Sequence, residues 1–191
     1  MRGSCSKSAL GHIVALIFLG LNAFLLVASV HAVVLHSRDE ALSMAFPNAD
    51  EVRPLDFYLT PEQRSEIEQH ARAKLESNLL TVYAGFQKSV PVGYALLDTH
   101  VVRTLPETLL IVLSAEGTVS AVHLLAFYEP PEYAPPEDWL KKFVGANAEQ
   151  LAGPGVKAID AIAGSTLTSR AVMQAVARAV AIHSVLLKGR Q

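Results

Sequence analysis

The sequence predicts an α+β protein, in which an N-terminal transmembrane helix is followed by a single domain with an antiparallel sheet packed by helices. Three observations support this prediction. An uncharged apolar run covers residues 13–35, strand-like segments alternate with turn signals over 80–128, and a long amphipathic helix pattern ends the chain. We therefore divide the chain into a membrane anchor at 1–35, a helical linker region at 36–79 and a folded domain at 80–191.

The apolar run is a candidate membrane anchor. It contains no Asp, Glu, Lys or Arg, and only Asn22, Ser29 and His31 interrupt its apolar character. Its 23 residues exceed the ~20 that a transmembrane helix needs, and also the apolar core of ~7–15 residues that signal peptides contain. We expect a retained anchor, and cleavage at the small residues 30–32 is the alternative.

Charges on either side of this run predict its orientation. Arg2 and Lys7 precede it, whereas only Arg38 follows it closely. Because positively charged flanks stay on the cytoplasmic side, we expect the N-terminus in the cytoplasm. The chain would then be a single-pass protein of the inner (cytoplasmic) membrane, with its domain on the periplasmic, extracytoplasmic side.

Charge and cysteine content argue against several classes of function. The chain after the run has 18 acidic and 14 basic residues, a formal charge of −4, which predicts no nucleic-acid surface. The single cysteine, Cys5, excludes disulfides within the chain and provides no ligand set for haem c or an iron–sulfur cluster. The seven histidines lack a metal-ligand spacing, so no metal site is predicted. A redox function would therefore need an organic cofactor.

The region 36–79 contains two helix starts. Ser37 and Glu40 have the spacing of a capping box, which predicts a short helix. A linker is expected at 47–57, and residues 60–63 (TPEQ) then begin a second helix with proline at its first position. The apolar stripe of this second helix consists of Ile67, Ala71 and Leu75.

Residues 80–128 are expected to form an antiparallel sheet of about four strands. Apolar, β-branched and aromatic residues cluster in segments that turn signals separate. A glycine-containing turn at 115–118 joins the last two segments as a hairpin. The predicted strands are Leu80–Gln87, Gly93–Val102, Leu109–Leu113 and Val119–Tyr128.

The last third of the chain is mainly helical. Four prolines in residues 129–136 exclude a helix or a central strand there, and a short helix is predicted at 137–143. Residues 156–160 (VKAID) are a candidate for a final short strand. The C-terminal helix has Arg170 and Arg178 on its polar face. Its apolar face, expected against the sheet, consists of Val172, Val176, Ala179, Val180, His183 and Leu187.

A cluster of hydroxyl residues stands at the start of this helix. Gly164 permits a tight turn, and Thr168 or Ser169 can cap the helix. A helix N-terminus presents unpaired N–H groups and a partial positive charge, so the segment is physically suited to bind a phosphate. Most Ser/Thr-rich helix starts are only caps, so composition alone does not assign a ligand here.

The order of residues from Asp160 to Ser169, DAIAGSTLTS, is more informative. It resembles the flavinylation motif of the FMN-binding domain family, whose usual form is Asp, two variable residues, Ser or Thr, Gly, Ala and Thr. That family includes the FMN-bearing extracytoplasmic subunits of the Rnf complex and of the sodium-translocating NADH:quinone reductase. Ala163 and Ser165 depart from the usual pattern, which has a hydroxyl residue and an alanine at these positions.

The resemblance implies a covalent FMN cofactor. In the family, a flavin transferase moves FMN from FAD onto the motif threonine as a phosphoester, and the matching residue here is Thr166. The likeness covers about residues 80–187, so 80–191 is expected to be an FMN-binding domain. It implies no catalytic residues and assigns to the cofactor site Thr166 as covalent acceptor, together with Asp160, Gly164, Ser165, Leu167, Thr168 and Glu129.

Several residues near this site have two interpretations. Asp160 is either a recognition element for the transferase or a partner for backbone N–H groups. Glu129 either approaches the flavin or is a solvated loop acid. His123 either faces the flavin or is structural. Trp139 and Tyr133 either border the flavin ring or anchor the short helix.

The resemblance implies a membrane-anchored, extracytoplasmic electron-transfer flavoprotein rather than a stand-alone enzyme. Its expected partners are a flavin transferase and membrane or periplasmic redox proteins. One alternative is a flavin-dependent reductase of a small extracytoplasmic substrate. The other is a non-redox, membrane-anchored binding or scaffold protein in which the motif is only a helix start.

Overall fold

The computed structural model describes residues 33–34, 36–152 and 159–189, which belong to one compact unit. This unit has the predicted α+β architecture, with an antiparallel sheet and packed helices. The predicted N-terminal transmembrane helix lies outside the described residues, as does most of the candidate strand at 156–160. Ile159 and Asp160, the described part of that candidate, are not in a strand.

An antiparallel sheet of six strands forms the centre of the unit. The strands are β1 (Val33–Val34), β2 (Glu51–Tyr58), β3 (Leu79–Gln87), β4 (Val90–Val101), β5 (Pro106–Ser114) and β6 (Val119–Phe127). Their order in the sheet is β1-β6-β5-β4-β3-β2, so β2 to β6 form a meander, and the short β1 pairs with β6. The four predicted strands correspond to β3 to β6, with ends that differ by up to three residues.

The segment 47–57 was predicted as a linker, and this prediction is wrong because it contains most of β2. This edge strand pairs with β3 along its whole length, with Pro54 opposite Tyr83. Its half-buried Val52 and Leu55 pack against the domain core. A proline is tolerated here because the outer side of an edge strand makes no ladder hydrogen bonds.

Helices flank the sheet. They are α1 (Arg38–Ala45), α2 (Pro61–Ala71), α3 (Glu137–Leu140), α4 (Ala148–Ala152) and α5 (Thr166–Ile182). The predicted capping box is present at Ser37 before α1, and the predicted helix start at Thr60 also forms a capping box, with Gln63, before α2. A 3₁₀ turn at Lys141–Phe143 extends α3, and a π-helical turn at His183–Leu187 extends α5.

Alternate residues of the strands face two separate cores. On β5, Leu109 and Ile111 belong to the larger core with α2 and α5, whereas Leu110 and Val112 belong to the smaller core with Ala41 of α1. The sheet is therefore the middle of three layers. The predicted apolar face of α5 is buried in the larger core, which confirms that this helix packs on the sheet.

The segment Thr166–Leu187 is long and apolar enough to cross a membrane by length and composition, and it is the one such helix within the described ranges. However, 61% of its most apolar stretch is buried inside the domain. Its apolar character is explained by its place in the larger core, where Val172 and Val176 are fully buried.

A buried network of charged side chains ties α5 to the sheet. Arg178 donates from Nε and Nη2 to Asp98 Oδ2 and Oδ1 at 3.0 and 2.7 Å. His100 bridges Asp98 Oδ1 and Glu107 Oε1, with both contacts at 2.7 Å. The sequence placed Arg178 on a different face of the helix from the apolar residues, and the structure shows that this arginine is mostly buried against Asp98. The helical pattern could not show that an acid lies within reach on the neighbouring strand.

The environment of this network favours the charged forms of His100 and Asp98. Burial opposes protonation of His100, but hydrogen bonds with Asp98 and Glu107 outweigh it and raise the pKa of His100 to about 9. Burial also disfavours the charged form of Asp98, yet hydrogen bonds from His100 and Arg178 hold its pKa below the usual value. Glu107 is fully buried, and its Oε2 has no hydrogen-bond partner among the described residues.

Candidate functional site

A cavity of about 320 Å³ lies at the start of α5. Five of its lining residues come from the predicted motif, and two come from distant parts of the chain. The lining residues are Arg103, Tyr133, Gly164, Ser165, Thr166, Leu167 and Thr168. The structure thus brings the hydroxyl cluster together with a basic and an aromatic side chain.

The turn before α5 has a fixed geometry. Gly164 has a φ of 81°, in the left-handed region that favours glycine. Ser169 braces the turn, because its Oγ accepts a hydrogen bond from Ile162 N at 2.8 Å and donates one to Ser165 O at 2.9 Å. These bonds hold the turn in place, so that Thr166 becomes the first residue of the helix.

The four hydroxyls of the cluster differ in accessibility. Ser165, Thr168 and Ser169 are 5%, 1% and 0% exposed, whereas Thr166 is an exposed residue. Thr168 Oγ1 is also occupied, since it donates to Tyr133 O at 2.9 Å. Within this cluster, Thr166 therefore presents the accessible hydroxyl.

The N-terminus of α5 lacks a side-chain cap. Ser165 is the N-cap residue, and its side chain makes no capping hydrogen bond. The prediction that Thr168 or Ser169 caps the helix is wrong, because Thr168 bonds to the carbonyl of Tyr133 and Ser169 braces the preceding turn. The first-turn N–H groups thus remain open to a ligand, and they add a partial positive charge to the cavity.

Arg103 provides a full positive charge at the same cavity. Its guanidinium carbon lies 5.1 Å from the centroid of the Tyr133 ring, within the range of a cation–π contact. Over the ranges that the structure covers, this exposed arginine forms no salt bridge. The cavity therefore combines a cation that forms no salt bridge among the described residues with an open helix N-terminus, an arrangement suited to an anion such as a phosphate.

Glu129 organises the loop that carries Arg103. Its Oε1 accepts the backbone N–H groups of Arg103, Thr104 and Leu105 at 3.2, 2.7 and 2.8 Å. These bonds, that of Thr104 above all, hold the pKa of Glu129 below its usual value. Glu129 is only 5% exposed and is not among the residues lining the cavity. It is thus neither a solvated loop acid nor a wall of the cavity at Thr166.

The side chain of Trp139 is hydrogen-bonded to the backbone of Asp160. Trp139 Nε1 donates to Asp160 O at 2.7 Å, and the buried indole packs edge-on against Phe143 at 5.2 Å. Trp139 therefore anchors α3 to the segment that enters the motif, whereas Tyr133 lines the cavity. The side chain of Asp160 is exposed and does not line the cavity.

Neither of the two histidines considered from the sequence lines the Thr166 cavity. His123 lines a different cavity of about 400 Å³, together with His36 and Glu137. His183 is buried, and its Nε2 lies 3.1 Å from Ala115 O, which indicates a structural role. Within the described part of the chain, no group of three or more His, Cys, Asp or Glu residues could hold a metal ion.

No local sequence pattern singles out Arg103 as a site residue. It lies in a polar loop between two predicted strands, and its partners are 26 and 30 positions further along the chain, at Glu129 and Tyr133. The one sequence feature that could have pointed to the Arg103 loop was Glu129, an acid at the start of the proline-rich segment. Only the antiparallel pairing of β5 with β6 brings that acid to the Arg103 loop.

Comparison with known proteins finds one family model that matches part of the chain. A model of the FMN-binding domain matches residues 106–181, which include β5, β6 and the motif with Thr166. No curated protein matches the chain. The match agrees with the family that the motif predicted, and it supports FMN as the cofactor.

Proposed function

We propose that this protein is an electron-transfer flavoprotein that carries FMN as a phosphoester on Thr166. One observation carries this proposal. The motif threonine has the exposed hydroxyl of its cluster, while the neighbouring hydroxyls are buried or hydrogen-bonded. The family match supports the identity of the cofactor.

The residues around Thr166 suit a tethered phosphate. The open N–H groups of α5 and the guanidinium of Arg103 are donors that phosphate oxygens accept. The cavity of about 320 Å³ lies at the small end of the range for ligand sites, and the 47%-exposed side chain of Leu167 forms part of its wall. When bound, FMN would supply the redox chemistry, because it accepts electrons in pairs and releases them singly.

Attachment of the cofactor would be a group transfer from FAD. The Oγ of Thr166 attacks the phosphorus on the FMN side of the FAD pyrophosphate and forms a new O–P bond. The bond from this phosphorus to the bridging oxygen breaks, AMP leaves with the bonding electrons, and the hydroxyl proton passes to a base of the transferase. The link runs through the phosphate, so the flavin ring stays unmodified.

We also propose that the domain is held on the extracytoplasmic side of the inner membrane by the apolar run 13–35. The length of this run and the charges on either side of it support a single-pass anchor. A covalent tether has a clear physical advantage there, because FMN that dissociated outside the cytoplasm would be lost. The proposed partners are a flavin transferase and membrane or periplasmic redox proteins.

Intact mass spectrometry after co-expression with a flavin transferase tests the attachment. We expect an added mass of one FMN less one water in the wild type and in Thr168→Val, and none in Thr166→Val. Ser165→Ala is the matched control for the neighbouring hydroxyl and should be modified like the wild type. Wild-type protein that stays unmodified in a transferase-competent host would rule out the proposal.

A further inference from the structure

We infer that Arg103 pairs with the phosphate of the tethered FMN and thereby orients the cofactor, an inference that rests on the proposed function. A phosphodiester on Thr166 would keep one negative charge after attachment. Arg103 is the charged side chain among the residues that line the Thr166 cavity. Its guanidinium can present two N–H donors to two phosphate oxygens.

Most arginines that the structure describes have carboxylate partners. Arg53 pairs with Glu51, Arg64 with Glu68, and Arg178 with Asp98. Arg103 instead has the ring of Tyr133 as its contact. Arg103 is exposed, but its backbone is held in place by hydrogen bonds to Glu129.

Two sets of contacts fix Arg103 relative to Thr166. On one side, the buried Glu129 accepts the N–H groups of residues 103–105 and so holds the loop. On the other side, the Tyr133 ring lies against the guanidinium, while the Tyr133 carbonyl accepts a hydrogen bond from Thr168 Oγ1. Thr168 belongs to the same helical turn as Thr166. The arginine and the acceptor threonine are therefore connected through a short series of contacts.

The negative charge of the FMN phosphate needs a positive charge nearby. The chain after the apolar run has a formal charge of −4, so a further anion is repelled by the domain as a whole. The helix N-terminus contributes only about half of an elementary charge. The guanidinium of Arg103 provides the remaining positive charge. Its planar donors also restrict rotation of the phosphate and of the cofactor attached to it.

The test compares loaded and unloaded protein in the wild type, Arg103→Gln and Arg103→Lys. Arg170→Gln is the matched control, because Arg170 is also an exposed arginine near the start of α5 but does not line the cavity. Two quantities are measured, namely the shift in melting temperature on flavinylation and the fluorescence anisotropy of the bound flavin. The initial rate of flavinylation by the purified transferase is a third readout.

We expect Arg103→Gln to leave the melting temperature of the unloaded protein unchanged, and to reduce both the loading-induced shift and the flavin anisotropy. Its loading rate should fall about fivefold, the effect of removing one partly exposed charge-assisted contact. Arg103→Lys should restore part of the loss because it keeps the charge without the paired donors. High salt should reduce the loading-induced shift in the wild type but not in Arg103→Gln.

The possible failures are distinguishable. Unmodified wild-type protein overturns the proposed function and this inference together. If the wild type is modified and Arg103→Gln equals it in loading-induced shift and anisotropy, the inference alone is overturned. An equal loss in Arg103→Gln and Arg170→Gln has the same meaning, because it would reflect general surface charge rather than the cavity.

Discussion

Arg178 and Arg103 occupy contrasting surroundings. Arg178 lies within the core side of α5 and is held by both oxygens of Asp98, whose charge His100 also shares. Arg103 is exposed, and an aromatic ring rather than a carboxylate lies beside it. The side chain is the same, but a carboxylate is hydrogen-bonded to the guanidinium of Arg178, whereas none is hydrogen-bonded to that of Arg103 among the described residues.

This difference separates a structural charge from a charge available to a ligand. The buried network contains two basic and two acidic side chains. Arg178 and His100 are both hydrogen-bonded to Asp98, and His100 is also hydrogen-bonded to Glu107. Near the cavity, Glu129 contacts the loop that carries Arg103. Its carboxylate accepts hydrogen bonds from the backbone N–H groups of this loop rather than from the Arg103 guanidinium. Glu129 therefore positions the Arg103 loop and attracts its charge, but it forms no salt bridge with the guanidinium.

The largest expected effect comes from removing the buried arginine. Arg178→Met leaves the charge of Asp98 buried beside a single remaining cationic partner, and breaking such a pair typically costs about 3–5 kcal/mol. Arg103→Met, the matched change at the cavity, should alter the free energy of unfolding by less than about 1 kcal/mol. Urea unfolding of the unloaded protein measures both values. Similar costs for the two variants would contradict the distinction between the two sites.

The second effect is a loss of stability at alkaline pH that arises from the buried network. The pKa of His100 is about 9 in the folded protein, against an ordinary value of 6.5. Its contribution to stability is therefore fully present below about pH 6.5 and is lost as the pH rises through about 9. A shift of this size corresponds to roughly 3 kcal/mol.

Thermal unfolding between pH 6 and 10 measures this dependence. The wild type should lose stability towards pH 10, whereas His100→Asn should start lower and show a flatter profile. His70→Gln, a change of an exposed histidine on α2, serves as the control and should follow the wild-type profile. A wild-type profile as flat as that of His100→Asn would show that the histidine is not charged in the folded state.

The contrast between local and long-range signals also explains what the sequence could reveal. The capping boxes at Ser37 and Thr60 and the apolar face of α5 are local patterns, and the structure contains each of them. The motif around Thr166 is local too, and the family match includes it. Such features depend on residues a few positions apart, which the sequence displays directly.

The features that the sequence did not reveal depend on distant partners. Strand β2 was missed because its place at the edge of the sheet, where Pro54 is tolerated, follows only from pairing with β3. The role of Arg178 depends on Asp98, which lies 80 positions earlier in the chain. The place of Arg103 depends on the pairing of β5 with β6, which brings Glu129 to its loop.

The smallest expected effect concerns the hydrogen bond between Thr168 of the motif and the carbonyl of Tyr133. Thr168 is 1% exposed and donates to the Tyr133 carbonyl at 2.9 Å. Thr168→Val keeps the shape of the side chain but leaves that carbonyl without this donor, so we expect a loss of about 1 kcal/mol in the free energy of unfolding. Thr81→Val is the control, because its hydroxyl bonds to Asp56 at an exposed site, and its effect should stay within about 0.5 kcal/mol.

The same variant refines the comparison between the two arginines. Because Tyr133 lies beside Arg103 and is held by Thr168, a looser Tyr133 should weaken the positioning of the guanidinium without affecting Arg178. We therefore expect Thr168→Val to remain flavinylated at Thr166 and to lower the flavin anisotropy by less than Arg103→Gln does. The pH profile of stability should keep its wild-type shape, since His100 is untouched. A changed pH profile, or an anisotropy loss larger than that of Arg103→Gln, would mean that the cavity and the buried network are not independent.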